Sequence, residues 1–231
     1  MPIFQLSKEI VFPPVELAEP EGLLAIGGDL GAERLLKAYS LGIFPWFDEG
    51  MPLLWWSPDP RMVLLPPELR VSRSLERLIR KRSFMVTIDK AFGDVIRNCA
   101  AVHADRSGGT WITEEMVEAY TALHHQGYAH SVETWQEDAL VGGLYGVSLG
   151  GAFFGESMFT LSSNASKVAF VSLVRLLDNH GFAMVDCQME TSHLARFGAR
   201  KIPRGEFIRL LELCLENPSP QRGSFPWRNK P

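Results

Sequence analysis

The fold is decided by residues 164–188, which read Asn164-Ala-Ser-Lys-Val-Ala-Phe-Val-Ser-Leu-Val-Arg-Leu-Leu-Asp-Asn-His-Gly-Phe-Ala-Met-Val-Asp-Cys-Gln188. Ser163 or Asn164 can cap a helix that runs to about residue 179, where His180-Gly181 ends it. The apolar, β-branched run from 182 to 187 predicts a strand, and so does the run from 151 to 160 before the helix. A strand–helix–strand unit of this kind makes its two strands parallel, which indicates an α/β protein.

The alternation of strands and helices extends back to Arg61. Three strand-like runs, separated by turns at Gln136-Glu-Asp138 and Gly150-Gly151, predict an antiparallel meander, which gives the α/β fold an α+β character. The expected strands lie at about 62–65, 85–88, 129–136, 139–149 and 151–160. The expected helices lie at about 72–82, 91–101, 113–126, 191–197 and 206–215, and the tail from Asn217 is expected to be irregular.

The first 60 residues differ from the rest because they are rich in Pro, Gly and Trp. Their pattern predicts one clear helix, from about Gly31 to Ser40, with Leu35, Leu36 and Tyr39 facing inward. Prolines at positions 58 and 60 break regular structure. We therefore predict a small N-terminal domain over residues 1–60 and a larger domain over residues 61–231.

Composition excludes several classes of protein. The chain has 231 residues, 46% of them hydrophobic, and a net charge of −4. It is long enough to bury a core without disulfides and too apolar to be disordered. No run of about 18 apolar residues predicts a membrane span, and the start shows no secretory signal. The acidic balance argues against a broadly basic nucleic-acid coat but leaves a local basic patch open.

Cysteine and histidine usage favours a reducing cytoplasm and no metal. Cys99, Cys187 and Cys214 are odd in number and widely spaced, without a CxxC pair. The histidines near residue 125 are better explained as surface and turn residues than as metal ligands. The chain also lacks the GxSxG elbow, the GxxxxGK[ST] phosphate loop and the HExxH zinc motif.

Two acidic positions are candidates for chemistry. Asp186 and Gln188 share one face of a strand, at the end where α/β proteins commonly bind ligands. Asp186 could equally cap the next helix. Glu156 shares a predicted strand face with Met158 among aromatic residues, and burial of an unpaired charge there would be costly. It should therefore have a protein or ligand partner, unless its strand lies at an edge and it faces water.

Five apolar residues could wall a single space near these positions. They are Leu144, Met158, Phe170, Leu173 and Val185. In the helix that follows residue 164, Phe170 and Leu173 belong to one apolar stripe. The alternative is that all five are ordinary core residues.

A local basic run and several tryptophans are features that suggest contact with nucleic acid. Arg73, Arg77 and Arg80 stack on one helical face, and Lys81 and Arg82 follow them. Such a stripe can follow a phosphate backbone, or it can be a solvated face paired with Glu68 and Glu76. Several tryptophans next to Pro or Gly, including Trp46 and Trp111, could stack on a nucleobase or could be buried.

Eight stretches, in order along the chain, resemble a known family. They are Gly27-Gly-Asp-Leu30, Gly42-Ile-Phe-Pro-Trp-Phe47, Trp55-Trp-Ser-Pro-Asp-Pro-Arg61, Gly109-Thr-Trp-Ile-Thr113, Leu140-Val-Gly-Gly-Leu-Tyr-Gly146, Phe154-Gly-Glu-Ser-Met-Phe159, Asn164-Ala-Ser-Lys167 and Asp186-Cys-Gln188. Together they are similar to the leucyl/phenylalanyl-tRNA–protein transferases of bacteria, from about residue 5 to about residue 207.

The resemblance implies a reaction, a fold and partners. The reaction is transfer of Leu or Phe, and sometimes Met, from aminoacyl-tRNA to a protein that begins with Arg or Lys, which marks that protein for degradation by the N-degron route. The fold is a small N-terminal α/β domain plus a larger domain similar to the GCN5-related N-acetyltransferase fold. The enzyme is expected to be a cytoplasmic monomer. It is expected to need no cofactor, because an aminoacyl ester is already activated.

The resemblance also suggests roles for individual residues. Asp186 would polarise Gln188 and act on the incoming amine, and Gln188 would hydrogen-bond the amine or the tetrahedral centre. Glu156, flanked by Gly155 and Ser157, would bind the amino group of the transferred residue. The five apolar residues would hold its side chain. The terminal adenine would stack near Trp46 and Trp111, while Arg73, Arg77, Arg80, Lys81 and Arg82 would hold acceptor-stem phosphates.

Two other functions are weighed against this one. An acyl-CoA N-acyltransferase needs a pyrophosphate turn of the type Q/R-x-x-G-x-G/A, but Ser162-Ser-Asn-Ala-Ser166 stands at that point. A non-catalytic tRNA- or peptide-binding module would tolerate Asp186→Ala and would be impaired by Arg80→Ala. A catalytic role predicts the opposite pattern.

Overall fold

The computed structural model describes residues 3–107 and 110–216. Within these ranges it has seven α-helices: α1 (Ala32–Ser40), α2 (Arg73–Arg80), α3 (Phe92–Ser107), α4 (Glu114–His125), α5 (Ala165–Asn179), α6 (Ser192–Ala195) and α7 (Arg204–Glu216). Its strands are β1 (Phe4–Leu6), β2 (Leu23–Gly27), β3 (Phe44–Pro45), β4 (Leu54–Trp56), β5 (Arg61–Leu64), β6 (Met85–Ile88), β7 (Ala129–Gln136), β8 (Ala139–Leu149), β9 (Ala152–Thr160), β10 (Met184–Gln188) and β11 (Arg200–Ile202). Gly109 and the tail from Asn217 lie outside the described residues.

The first four strands form a sheet of their own, in the order β1-β2-β4-β3. Strands β1 and β2 are parallel, and the other two pairs are antiparallel. The predicted helix in this region is confirmed as α1, which begins after Gly31. The four strands were not predicted, because they are only 2 to 5 residues long and carry little periodicity.

The remaining strands form a seven-stranded sheet in the order β11-β5-β10-β9-β8-β7-β6. Strands β7, β8 and β9 are the antiparallel meander that the turns predict. Strand β9, helix α5 and strand β10 form the predicted crossover unit, with β9 and β10 parallel. The mixed α/β class is therefore confirmed, and the short strand β11 is an addition to the predicted elements.

Helix starts follow the capping rules that the sequence suggests. The Ser72 hydroxyl accepts from the backbone N–H of Leu75 at 3.3 Å, which fixes the start of α2. The Thr113 hydroxyl accepts from Met116 N–H at 3.3 Å and does the same for α4. The start of α5 is an exception, because Asn164 occupies the cap position in a left-handed conformation, with φ of 70°, and its side chain makes no capping hydrogen bond.

Two groups of buried side chains hold the sheets in place. The α5-side core lies between α5 and one face of the large sheet and includes Leu144, Phe170, Leu173 and Val185. The shared core extends from the small sheet to the other face of the large sheet and includes Tyr39, Trp55, Tyr120, Phe154 and Phe207. The chain passes from the small sheet to the large sheet between Trp56 and Arg61, near the predicted domain boundary. The shared core includes residues from both sides of that point.

The glycines of β8 permit close approach of neighbouring elements. A Cβ atom at Gly146 would lie 2.1 Å from the carbonyl oxygen of Phe154, and one at Gly142 would lie 2.5 Å from the Ala165 side chain. Both contacts are far inside van der Waals distance, so no larger residue fits without movement of the backbone. These glycines serve packing between strands and helix α5.

Candidate active site

Strands β9 and β10 stop pairing before either strand ends. They pair only over Ala152–Phe154 and Met184–Asp186, although β9 continues to Thr160. The continuation from Gly155 to Met158 is half-buried, as is Gln188 at the end of β10. We call this place, bounded by residues 155–158 and Gln188, the cleft. It lies beside central strands of the large sheet.

A bulge in β9 changes which side chains share a face. Tyr145 pairs with Ser157, but the next residue, Gly146, pairs with Gly155, so Glu156 is an extra residue in the strand. Glu156 therefore points to the shared core, while Met158 packs on the α5-side core. The prediction that these two residues share a face was wrong, because a bulge breaks the alternation on which it relied.

Glu156 is held by three hydrogen-bond donors from three different elements. The hydroxyl of Tyr39 on α1 donates to Oε1 at 2.8 Å, and the hydroxyl of Tyr120 on α4 donates to Oε2 at 3.0 Å. The Gln188 amide Nε2 donates to Oε1 at 2.9 Å across the cleft. The expectation that Glu156 needs a partner is thus met inside the protein, and it lies on a central strand and not at an edge.

The surroundings of Glu156 favour its protonated form. Burial raises the pKa of this carboxyl from 4.5 to about 7, against the lowering effect of the two tyrosines, and the nearby Asp186 charge raises it further. The hydroxyls of Tyr39 and Tyr120 also contact each other beside this carboxyl.

Asp186 is fully buried in an ion pair with Arg61, with exposures of 0% and 1% for the two side chains. Arg61 Nε donates to Oδ1 at 2.9 Å, and Nη2 donates to Oδ2 at 2.7 Å. The guanidinium carbon lies 4.7 Å from the ring centre of Phe44 and 4.6 Å from that of Phe207. This fork-to-fork geometry fixes the carboxylate in one orientation.

Asp186 also fixes Gln188. Its Oδ1 accepts the backbone N–H of Gln188 at 2.9 Å, and Gln188 has a positive φ of 59° just after a bulge at Cys187. Asp186 has no exposed surface, whereas Gln188 lies in the cleft itself. In this structure Asp186 is connected to the cleft through the backbone N–H of Gln188, and its direct contact with an incoming amine stays a prediction.

The five candidate pocket residues are brought together, but at different depths. Leu144, Phe170, Leu173 and Val185 are 1 to 3% exposed and form part of the α5-side core. Met158 is half-buried and borders the cleft. These residues lie on the face opposite Glu156 and Asp186, so a side chain bound there would have to enter through the gap between β9 and β10.

The two candidate tryptophans are both half-buried and pack against the shared core. Trp46 lies 5.7 Å from Trp56, whose indole N–H donates to the Trp46 carbonyl at 2.7 Å. Trp111 lies 6.2 Å from the His103 ring. Each is therefore neither fully buried nor fully exposed, and the stacking of an adenine on them stays a prediction.

The five basic side chains at 73, 77, 80, 81 and 82, here called the basic stripe, are accessible to solvent on or just after α2. The alternative was a solvated face paired with Glu68 and Glu76, and only its pairing is contradicted. Glu76 pairs with Arg175 at 2.6 Å, and Glu68 pairs with Arg200 at 3.4 Å. Among the residues that the structure describes, neither glutamate pairs with the basic stripe, whose side chains face solvent.

Sequence reasoning missed several residues of the site. Arg61 ends one of the quoted motifs, but nothing marked its side chain as the partner of Asp186. Tyr39 was predicted to face inward, yet its hydroxyl carries the contact to Glu156. Tyr120 and His103 lie on helices without any signal of their own.

Among the described residues, no group of acidic, His or Cys side chains could hold a metal ion. No described helix is long and apolar enough to cross a membrane.

Comparison with known proteins places these features in one family. Residues 63–212 match the model of the leucyl/phenylalanyl-tRNA protein transferase family, and residues 28–59 match the model of its N-terminal domain. The leucyl/phenylalanyl-tRNA–protein transferase of Syntrophobacter fumaroxidans is 60% identical over 91% of this chain and 90% of its own length. That of Syntrophotalea carbinolica is 56% identical over 99% of this chain and all of its own. Among solved structures, FemX aligns with a TM-score of 0.48 and 12% identity, over 79% of this chain and 71% of its own. The chain belongs to the leucyl/phenylalanyl-tRNA–protein transferase family.

Proposed function

We propose that this chain transfers Leu or Phe, and also Met, from aminoacyl-tRNA to the N-terminal Arg or Lys of acceptor proteins. The product would be marked for N-degron degradation, and the enzyme would act in the cytoplasm as a monomer. The chain belongs to the transferase family, and one observation of its structure supports the proposal most directly. The Gln188 Nε2 atom lies 2.9 Å from Glu156 Oε1 where the pairing of β9 and β10 ends, beside the α5-side core.

The chemistry requires little beyond binding and orientation. The donor is an ester, so the acyl group is already activated and needs no ATP. The α-amine of the acceptor attacks the ester carbonyl, a C–N bond forms, and the C–O bond to the ribose breaks. Holding two reactants in the correct geometry can supply roughly 7–11 kcal/mol of the acceleration. The residues of the cleft would provide that geometry.

Glu156 is the candidate receptor for the α-amino group of the transferred residue. An ionised carboxylate has about four acceptor sites. Tyr39 and Gln188 use two sites on Oε1, and Tyr120 uses one on Oε2, which leaves a site for an ammonium N–H. An ammonium at that site would favour the ionised form and lower the pKa of Glu156 from about 7. Substrate binding would therefore release a proton.

Gln188 is the candidate group that meets the incoming amine. Its Nε2 donates to Glu156, which orients the side-chain amide, and its backbone N–H donates to Asp186, which fixes the backbone. The side-chain carbonyl can accept from the attacking amine, and the second amide N–H can donate to the developing oxyanion. Asp186 is then a positioning residue, because it acts through the backbone of Gln188.

The apolar residues would select the side chain of the donor. A Leu, Phe or Met side chain is unbranched at Cβ and could pass Met158 to reach Leu144, Phe170, Leu173 and Val185. The alternative, that these four residues only pack the core, remains compatible with their burial. Trp46 and Trp111 would stack on the terminal adenine, and the basic stripe would hold acceptor-stem phosphates without reading sequence.

A direct assay tests the proposal. Purified protein is incubated with Phe-tRNA that carries label on Phe, together with peptides that differ only in their first residue. We expect label on peptides that begin with Arg or Lys and none on peptides that begin with Ala or Glu. Gln188→Ala should slow transfer without weakening tRNA binding. Failure of the wild-type protein to label any peptide, or a thermal shift with coenzyme A in place of aminoacyl-tRNA, would refute the proposal.

A further inference from the structure

We propose that His103 and Ser157 form a proton relay to the ribose oxygen that leaves when the aminoacyl ester is cleaved. The His103 Nε2 atom lies 3.1 Å from the Ser157 hydroxyl. The inference rests on the proposed function, because it assigns a proton donor to that reaction. It adds a catalytic residue, Ser157, and a residue that acts through it, His103.

The position of the pair follows from the bulge in β9. Because Glu156 is an extra residue, Glu156 and Ser157 both point to the shared-core face, where α3 supplies His103. Both Ser157 and His103 are half-buried, and Ser157 is one of the residues that bound the cleft. On its other side His103 lies 6.2 Å from the ring of Trp111. The pair thus lies between the proposed adenine platform and the carboxylate proposed to hold the aminoacyl group.

That location matches the bond that breaks. The ester joins the amino acid to the terminal adenosine, so with the amino group on Glu156 and the adenine on Trp111, as proposed above, its ribose oxygen would lie between these two residues. Cys99 also contacts Ser157, but burial raises the pKa of that thiol to about 12. The thiol therefore stays protonated near neutral pH, and the imidazole of His103 is the proton carrier of this group.

The proton movements balance over one turnover. As the C–O bond breaks, the Ser157 hydroxyl gives its proton to the ribose oxygen, and Ser157 takes a proton from Nε2 of the His103 imidazolium. The acceptor amine loses one proton as the C–N bond forms. That proton, carried by water, restores the imidazolium. The products are an amide and a ribose hydroxyl, and neither redox chemistry nor a covalent enzyme intermediate is involved.

A change of leaving atom tests this relay. Phe is attached to tRNA through the ordinary ribose oxygen or through sulfur at the same position, and single-turnover transfer to an Arg-initiated peptide is measured with each donor. Thiols ionise near pH 8.5, so sulfur can leave as a thiolate without a proton. We expect His103→Gln and Ser157→Ala to slow the oxygen donor by about 100-fold in kcat and the sulfur donor by less than roughly threefold. KM should stay unchanged.

The remaining outcomes distinguish the relay from a purely structural role of the pair. Equal losses with both donors would mean that His103 only supports the structure, and an unchanged rate with the oxygen donor would mean that it has no role. Either result overturns the relay. His125, which is exposed, provides the matched control, and His125→Gln should react like wild type with both donors. Failure of the wild-type protein with both donors would refute the proposed function itself.

Discussion

Replacement of Arg61 by Met should destabilise the protein strongly, because it leaves Asp186 as a buried charge without its partner. The two side chains are 1% and 0% exposed and make two hydrogen bonds of 2.9 and 2.7 Å. Removal of one member of a buried ion pair costs about 3–5 kcal/mol. For a chain of 231 residues, each kcal/mol lowers Tm by about 2–4 °C, so we expect a drop of roughly 6–20 °C.

A double-mutant cycle shows whether the cost arises from the pair. Unfolding in urea is measured for Arg61→Met, Asp186→Leu and the double variant. Each single variant leaves one buried charge, whereas the double variant leaves none and should regain most of the lost stability. Arg97 pairs with Glu114 on the surface, with exposures of 58% and 63%, and Arg97→Met should cost less than about 1 kcal/mol.

Activity and stability should separate in the double variant. Asp186→Leu removes the acceptor of the Gln188 backbone N–H, even where the fold is restored. Because a hydrogen bond to a charged group is worth about 1.5–3 kcal/mol, transfer should remain about 10- to 100-fold slower than in wild type. An Arg61→Met variant within about 1 kcal/mol of wild type would refute the ion-pair argument. A stable double variant with full activity would refute the positioning role of Asp186.

Three further changes test other parts of the molecule. The pKa of Glu156 is raised from 4.5 to about 7 in the folded protein, so the folded state binds this proton more tightly than the unfolded chain does. The free energy of unfolding should therefore fall by up to about 3 kcal/mol as the pH rises from about 4.5 to about 7. Glu156→Gln should flatten this dependence in urea unfolding at about pH 5 and pH 8. Replacement of Arg77 and Arg80 by neutral residues should make the slope of log K for tRNA binding against log salt concentration shallower by about 2, while kcat at saturating tRNA stays unchanged. If the slope does not change, the basic stripe does not belong to the tRNA interface. Gly146→Ala forces a Cβ to within 2.1 Å of a backbone oxygen and should cost about 3 kcal/mol or more in unfolding experiments, whereas Gly93→Ala, which meets nothing within 4 Å, should be neutral or stabilising.

The sequence was informative where structure depends on local pattern. The meander of β7 to β9 and the β9–α5–β10 crossover follow from alternation, turn residues and caps that lie within a few positions of each other. The bulges at Glu156 and Cys187 do not, because one extra residue reverses the expected faces without a strong compositional sign. The partner of Asp186 was equally hidden, since Arg61 lies 125 positions away and no local rule connects the two.

The same contacts show why the site depends on both sheets. The carboxyl of Glu156 accepts from Tyr39, which lies 117 positions earlier on α1, and Arg61 stacks on Phe44 of the small sheet. Without the N-terminal 60 residues, Glu156 would lose one of its three donors and Arg61 one of its two aromatic contacts. The predicted boundary near residue 60 therefore lies between the two sheets, but residues from both sides of it build the same site. The orientation of Gln188, through Glu156 and Asp186, depends on residues from both sides of that boundary.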